Sequence, residues 1–159
     1  MRIIGVDPGT ATVGYGIIDV AGNKNSLVDV GIVSTAKDLS DAARLRLISV
    51  GLEKLIKKYK PQVLVAEKIY FSKNIKTAIS VAQARGVILL TAEKAGLDII
   101  ECSPQDVKLS VTGYGNADKQ QVQKMVKVLL NLKSIPKPDD AADALAAALA
   151  VAHLKRSLK

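Results

Sequence analysis

The sequence predicts an α/β fold in which a mixed sheet of five strands has helices on both faces. Three observations lead to this prediction. The chain opens with three short β-branched segments separated by turn residues, which is typical of strands. The spacing of apolar residues then becomes helical and alternates with two further strands. The apolar run before Glu67 is nearly continuous, as in a strand that is buried on both faces.

The strands are predicted from short apolar segments between Gly- or Asn-containing turns. Residues 2–7, 13–20 and 27–34 form the first three strands, and the second and third are expected to pair as a hairpin. Val63–Ala66 and Asp98–Glu101 supply the fourth and fifth strands. The strong apolar character of the fourth strand predicts that it lies in the middle of the sheet, beside the first.

Helical spacing of apolar residues predicts five helices, at residues 39–60, 75–95, 104–111, 118–131 and 140–155. Ser40 or Asp41 is the N-cap of the first, and Pro61 ends it. Asp118 and Gln121 have the spacing of a capping box for the fourth. The second helix is expected to turn six apolar residues inward: Ala78, Ile79, Ala82, Val87, Leu90 and Ala92.

Length and composition limit the class of protein. The 159 residues fit one domain. The single Cys102 excludes a disulfide framework and a thiolate zinc site within one chain. The chain shows no signal-peptide pattern at its start and no apolar run of the roughly 18 residues that a membrane helix needs. We therefore expect a cytoplasmic protein that does not associate with membranes.

The chain is strongly basic, with 23 Lys and Arg against 15 Asp and Glu, a net charge of +8 and a pI near 9.6. Such a charge favours a polyanionic partner such as nucleic acid. A basic protein without such a partner is the alternative. The lysines occur in clusters along the chain, which favours a surface that holds phosphates.

Four acidic residues occupy positions from which their side chains can converge. Asp7 and Glu67 each end a predicted strand, and Asp140 and Asp143 lie three residues apart, on one face of the last helix. Ligands of open α/β sheets usually bind at the carboxyl ends of strands. Gathered carboxylates repel one another, so a hard divalent cation is the best reason to collect them.

Two divalent ions roughly 4 Å apart can stabilise both the attacking and the leaving oxygen of a phosphodiester displacement. The four acids and the basic charge together predict a Mg²⁺-dependent enzyme that acts on nucleic acid. Each acid also has a structural alternative. Asp7 can form a turn before Pro8, Glu67 can be a solvated strand end, and Asp140 and Asp143 can interact with the helix dipole. Three other acids are interpreted as structural: Asp19, Glu101 and Asp106.

Five motifs in the same order resemble those of RuvC-type Holliday junction resolvases, and they span almost the whole chain. They are Gly5–Thr10 with Gly14–Gly16, Glu67–Asn74, Gln83–Val87, Thr112–Lys119 and Asp139–Ala146. The resemblance implies a ribonuclease H-like fold, with residues 1–159 as a single RuvC-like nuclease domain. It also implies a homodimer that resolves four-way DNA junctions by paired symmetric nicks in recombination and repair.

The same resemblance assigns the site residues. It makes Asp7, Glu67, Asp140 and Asp143 the catalytic acids and the ligands of two Mg²⁺, for which Mn²⁺ is expected to substitute. Five residues are expected to contact DNA: Tyr70, Phe71, Lys73, Lys108 and Lys119. Tyr70 or Phe71 would stack at the junction centre. A branch-migration helicase complex of the RuvA and RuvB type is the further partner implied.

Three other functions fit part of the sequence. A sugar kinase or actin-like ATPase opens with a similar strand and turn but needs a second domain, for which 159 residues leave no room. A related ribonuclease H-like nuclease that acts on ribosomal RNA shares the fold. A junction-binding protein without catalysis is the non-enzymatic alternative, and the presence of all four acids argues against it.

Overall fold

The computed structural model describes residues 1–68 and 75–157, and the predicted strands and helices occur there in the predicted order. The strands are β1 (Arg2–Asp7), β2 (Thr12–Ala21), β3 (Lys24–Ser34), β4 (Val63–Glu67) and β5 (Asp98–Cys102). The helices are α1 (Asp41–Tyr59), α2 (Ile75–Lys94), α3 (Pro104–Thr112), α4 (Lys119–Leu129) and α5 (Asp139–Ser157). None of the helices in these residues combines the length and apolar character needed to cross a membrane.

The five strands form one mixed sheet in the order β3-β2-β1-β4-β5. β1 pairs antiparallel with β2 and parallel with β4, and β4 pairs parallel with β5. The antiparallel β2–β3 pair is the predicted hairpin, joined by a tight turn at Gly22, whose φ is +54°. The prediction that the fourth strand lies beside the first in the middle of the sheet is therefore confirmed.

Two hydrophobic cores lie on opposite faces of the sheet, because successive side chains of a strand point to opposite sides. On β1, Ile3 packs in the core under α3, α4 and α5, whereas Ile4 packs in the core under α1 and α2. β4 alternates in the same way, with Val63 and Val65 on the α5 face. The predicted arrangement of helices on both faces is confirmed.

Local sequence signals explain the helix ends. The Ser40 side chain accepts a hydrogen bond from the Ala43 amide and begins α1, and Lys60 closes it in a left-handed conformation before Pro61. Asp118 and Gln121 form the predicted capping box of α4. Ser103 and Asp106 form a second capping box at α3, which gives Asp106 the structural role expected of it.

The expectation for α2 was partly wrong. Ala78 and Ala92 are buried as predicted, but Ile79 and Leu90 are each 55% exposed, and Ala82 is exposed too. This helix is apolar on more than one side, so periodicity alone does not determine which side faces the sheet. The buried side also contains Ala84 and Ile88.

Helix α5 lies unusually close to the sheet because small residues meet at the contact. A Cβ atom on Gly5 would overlap with the backbone oxygen of Ala144, and one on Gly14 would overlap with that of Asp140. Alanines dominate the buried surface of the helix between Ala141 and Ala152. The close approach holds the beginning of α5 directly over β1 and β2.

Candidate active site

Asp7 and Glu67 lie side by side at the carboxyl end of the parallel strand pair. The register pairs Val6 with Ala66, so these two acids are the next residues on each strand. Strand alternation turns both side chains to the face that α5 covers. Both residues are half-buried.

Asp140 and Asp143 reach the same place from the first turns of α5. Asp7 pairs across the sheet with Gly14, and the backbone of Asp140 sits on that glycine. Asp143 follows three residues later on the same side of the helix. The structure thus brings the four sequence-predicted acids together from β1, β4 and α5.

The charges of these acids act on one another. Burial first, and then the nearby carboxylates of Asp143, Glu67 and Asp140, together raise the pKa of Asp7 to about 7. Burial and then Asp143 also raise the pKa of Glu67. The pKa of Asp143 is raised by burial, although Lys119 opposes that shift. The cluster is therefore self-repelling.

Lys119 forms ion pairs at the edge of the acid cluster. Its Nζ lies 3.0 Å from Oδ2 of Asp143 and 3.3 Å from Oδ2 of Asp139. Burial alone would lower the pKa of Lys119, but the bonds to Asp143 and Asp139 raise it. Sequence spacing gave no sign of this pairing with Asp139, because the two residues lie on different helices and no local rule connects them.

A cleft of about 200 Å³ opens beside the acids. Glu67, Asp143, Lys108 and Lys119 supply its polar wall, and the positive charge of Lys108 acts against the raised pKa of Glu67. An apolar wall faces them and consists of Pro104, Val107, Val122 and Ala146. The cleft thus combines anionic metal-type ligands, two ammonium groups and a surface against which a sugar or base can pack.

The carboxylates are near neighbours but do not form a finished metal site. Within residues 1–68 and 75–157, no three His, Cys, Asp or Glu side chains are arranged to hold a metal ion as they stand. The donor set still fits Mg²⁺, which prefers carboxylate oxygens and completes its shell with water and phosphate.

The remaining predicted site residues are Tyr70, Phe71 and Lys73, and they lie outside the described residues. Of the predicted DNA contacts, Lys108 and Lys119 are described, and both line the cleft. Their role toward DNA stays a prediction.

Known proteins resemble this chain along its whole length. The family model of "Crossover junction endodeoxyribonuclease RuvC" matches residues 3–153. The chain belongs to the RuvC family. A RuvC relative from Fusobacterium nucleatum is 53% identical over 97% of this chain and 80% of its own length. The RuvC structure from Thermus thermophilus is 31% identical, with a TM-score of 0.92 over 99% of this chain and 96% of its own.

A second Thermus thermophilus structure, of RuvC in complex with a Holliday junction substrate, matches with a TM-score of 0.93 and 31% identity, over 99% of this chain and 96% of its own. The ribonuclease H-like fold expected from the sequence is confirmed by these matches and by the five-stranded mixed sheet. Membership of the RuvC family also implies a nuclease that depends on divalent metal.

Proposed function

We propose that this chain is a structure-selective endonuclease that resolves four-way DNA (Holliday) junctions by paired symmetric nicks in homologous recombination and DNA repair. Residues 1–159 act as one nuclease domain in this proposal. The observation that carries it is the cluster of four carboxylates, in which burial and mutual repulsion raise the pKa of Asp7 to about 7. The two Thermus thermophilus RuvC structures, one of them bound to a Holliday junction, support the choice of substrate.

Asp7, Glu67, Asp140 and Asp143 would hold two Mg²⁺ in this site, and Mn²⁺ would substitute. When bound, the two ions supply charge stabilisation at the attacking and the leaving oxygen of the phosphodiester. Asp7 is central, since the other three acids all act on its pKa. The fold therefore gathers carboxylates whose mutual repulsion a bound divalent cation would reduce.

The lysines of the cleft would hold the DNA backbone. Lys119 compensates part of the charge of the acids, and Lys108 lies on the same wall. Ammonium groups bind phosphates as point charges and carry no sequence information, so affinity should depend on junction shape and on salt. Lys73 would extend this surface, and a ring of Tyr70 or Phe71 would stack on a base at the junction centre.

Paired symmetric nicks require two active sites related by symmetry, and so we propose a homodimer. The outward face of α2 is the surface that best suits contact with a second copy of the chain. Ile79 and Leu90 are exposed there, and Gly86 between them leaves open surface where a Cβ would meet no atom within 4 Å. Exposed apolar residues at helical spacing, with a glycine that permits close approach, suit helix-to-helix packing.

Two elements of the proposal depend on the substrate alone. A cytoplasmic location follows from the proposed DNA substrate, and partnership with a branch-migration complex of the RuvA and RuvB type follows from the proposed junction. The alternative nuclease on ribosomal RNA would use the same acids, so the substrate must decide between them. A non-catalytic junction-binding protein would have no need for a self-repelling acid cluster.

The experiment compares four substrates under one condition: a synthetic four-way junction, a linear DNA duplex of the same sequence, an RNA duplex and ATP. Each is incubated with and without Mg²⁺, and products are mapped to the nucleotide. We expect nicks only in the junction and only with Mg²⁺, at symmetric positions on two strands. Cleavage of the RNA duplex instead, or tight junction binding without any nick, would favour the corresponding alternative.

A further inference from the structure

Arg85 connects the proposed active site to the opposite face of the sheet. It lies in the Gln83–Val87 motif on α2, for which the acids, the cleft and the proposed DNA contacts leave no role. Its Nε donates a hydrogen bond to the backbone carbonyl of Glu67 at 3.3 Å. Its Nη2 forms an ion pair with Glu101 of β5. One guanidinium thus joins α2, β4 and β5.

The position of this contact makes it important for the carboxylate of Glu67. Glu67 is the last residue of β4, with its carboxylate on the α5 face and its carbonyl held by Arg85 of α2, which packs on the other face. The sheet continues only one step beyond, where the Lys68 amide donates to the carbonyl of Cys102. Rotation of the Glu67 peptide would swing the carboxylate, and the bond from Arg85 to the Glu67 carbonyl opposes that rotation.

Arg85 packs on the α2 face of the sheet and does not line the cleft, which separates it from the lysines there. The Arg85 side chain is 21% exposed, and Glu101 neutralises it. Lys108 and Lys119, by contrast, line the open cleft with the acids. Arg85 therefore has the geometry of a residue that orients backbone and not of one that attracts phosphate. The planar guanidinium fork can bond a carbonyl and a carboxylate at once.

We infer that Arg85, held by Glu101, is a positioning residue that fixes the end of β4 and thereby sets the Glu67 carboxylate for metal binding. The inference rests on the proposed role of Glu67 as a metal ligand. It gives a function to Arg85 and also to Glu101, which the sequence analysis interprets as structural.

The test uses Arg85→Lys, since lysine keeps the charge but lacks the planar fork whose Nε and Nη2 bond the two acceptors. The matched control is Arg2→Lys. Arg2 also bonds one carboxylate, of Asp19, and one backbone carbonyl, of Tyr59, but at the amino end of the sheet. For each full-length variant we would measure Mn²⁺ binding by electron paramagnetic resonance, single-turnover junction nicking across a Mg²⁺ titration, junction Kd in EDTA, and Tm.

We expect Arg85→Lys to weaken Mn²⁺ binding and slow nicking by about 10- to 100-fold, which is the usual loss when support of a metal ligand is removed. The Mg²⁺ concentration for half-maximal rate should rise. The junction Kd should stay within about twofold, because no phosphate contact is lost. Arg2→Lys should lower Tm by about as much as Arg85→Lys does, but it should leave Mn²⁺ binding and nicking unchanged.

A double variant gives a second test. Arg85→Lys combined with Glu101→Gln should be no slower than Arg85→Lys alone, since both changes act on one contact network. The inference is overturned if Arg85→Lys binds Mn²⁺ as wild type does, if it weakens junction binding without moving the Mg²⁺ midpoint, or if Arg2→Lys loses as much activity. Glu67→Gln separates this failure from that of the proposed function: full nicking by Glu67→Gln would contradict the metal assignment itself.

Discussion

The two ends of β1 use charged residues in opposite ways. At the amino end, Arg2 donates to Asp19 from Nε at 2.9 Å and from Nη2 at 2.8 Å, and to the Tyr59 carbonyl at 2.7 Å. At the carboxyl end, Asp7 faces carboxylates and has its pKa raised to about 7. At the amino end, where charged side chains only connect strands and a helix, each charge has a counter-ion. At the carboxyl end, where a cation is proposed to bind, negative charge is left in excess.

Two aspartates show the contrast directly. Hydrogen bonding from Arg2 lowers the pKa of Asp19, whereas burial first, and then neighbouring carboxylates, raise that of Asp7. Asp19 therefore supports the folded state when it is ionised, and Asp7 opposes it. An ionised Asp7 lowers the free energy of unfolding of the free protein, and a ligand that binds this carboxylate is the best explanation for its presence.

The largest effect is expected from Asp7→Asn. The amide fills the same space but loses the charge that the proposed metal site needs, so junction nicking in Mg²⁺ should fall by about 1,000-fold or more, which corresponds to about 4 kcal/mol of transition-state stabilisation. Junction binding in EDTA should be largely retained. Nicking near the wild-type rate would show that the carboxyl end of β1 is not the metal site.

The same variant should become more stable than wild type at neutral pH in EDTA. The folded pKa of Asp7 is about 7, and an unfolded Asp titrates near 3.9. Between these values the folded chain binds more protons than the unfolded chain, so the free energy of unfolding falls as pH rises. Asp7→Asn removes that dependence.

Urea unfolding of both proteins across pH measures the difference. The two should be about equally stable below pH 4, and the variant should gain progressively up to about pH 7, by a few kcal/mol. Added Mg²⁺ should then stabilise wild type more than the variant. A variant that is less stable at pH 8 would mean that the Asp7 carboxylate is paired, as Asp19 is.

Gly14→Ala tests the close approach that brings α5 to the carboxyl end. The new Cβ would overlap with the Asp140 backbone, so α5 must move. We expect a loss of about 1–3 kcal/mol of stability and a loss of about 100-fold in nicking, since small misplacements in a site are costly. Gly51→Ala is the control, because its Cβ meets Val33 on the other face, 2.6 Å away.

Both glycine variants should lose stability, but only Gly14→Ala should lose activity at a temperature at which both remain folded. Circular dichroism melting and single-turnover nicking at that temperature distinguish the two effects. Equal activity in the two variants would mean that the position of α5 does not limit the proposed site.

The aromatic pair beyond Glu67 tests what the carboxyl end presents to DNA. A ring stacked on an unpaired base contributes about 1–3 kcal/mol. Tyr70→Ala should therefore slow cleavage of an intact junction far more than of a substrate already unpaired at the cut site, while Tyr70→Phe should be nearly silent. A junction-specific defect in Phe71→Ala, with Tyr70→Ala unaffected, would reverse the two roles.

How much could be predicted from sequence differs between the two ends as well. The meeting of Asp7 and Glu67 follows from strand alternation and from the buried character of β4, both of which are local signals. Asp140 and Asp143 could be placed on one face by their spacing alone. These rules act within single elements, so the sequence contains them.

Contacts between elements could not be predicted in this way. Both sides of α2 are apolar, so which side is exposed depends on how the helix packs on the sheet. Lys119 meets Asp139 across two helices, and Arg85 reaches Glu67 from the opposite face of the sheet. The resemblance to the RuvC family indicated Lys119 and the motif of Arg85, but the partner of each became visible only in three dimensions.

The smallest effect is expected at the paired end, from Asp19→Asn. The Asp19 side chain is 43% exposed, so solvent screens the ion pair and the loss of stability should stay within about 1 kcal/mol. The pKa of Asp19 is lowered, so its contribution is present above pH 4, where an unfolded Asp is already ionised, and is lost as pH falls through the lower folded value. The difference in stability between variant and wild type should therefore be constant from about pH 8 to 5 and shrink in acid, opposite in sign to that of Asp7→Asn.

Nicking by Asp19→Asn should be unchanged, because the amino end of β1 lies at the other end of the strand from the acids. A loss of Mg²⁺-dependent nicking in Asp19→Asn would mean that the two ends are coupled through the sheet, and the division of β1 into a paired end and a metal-binding end would then be wrong.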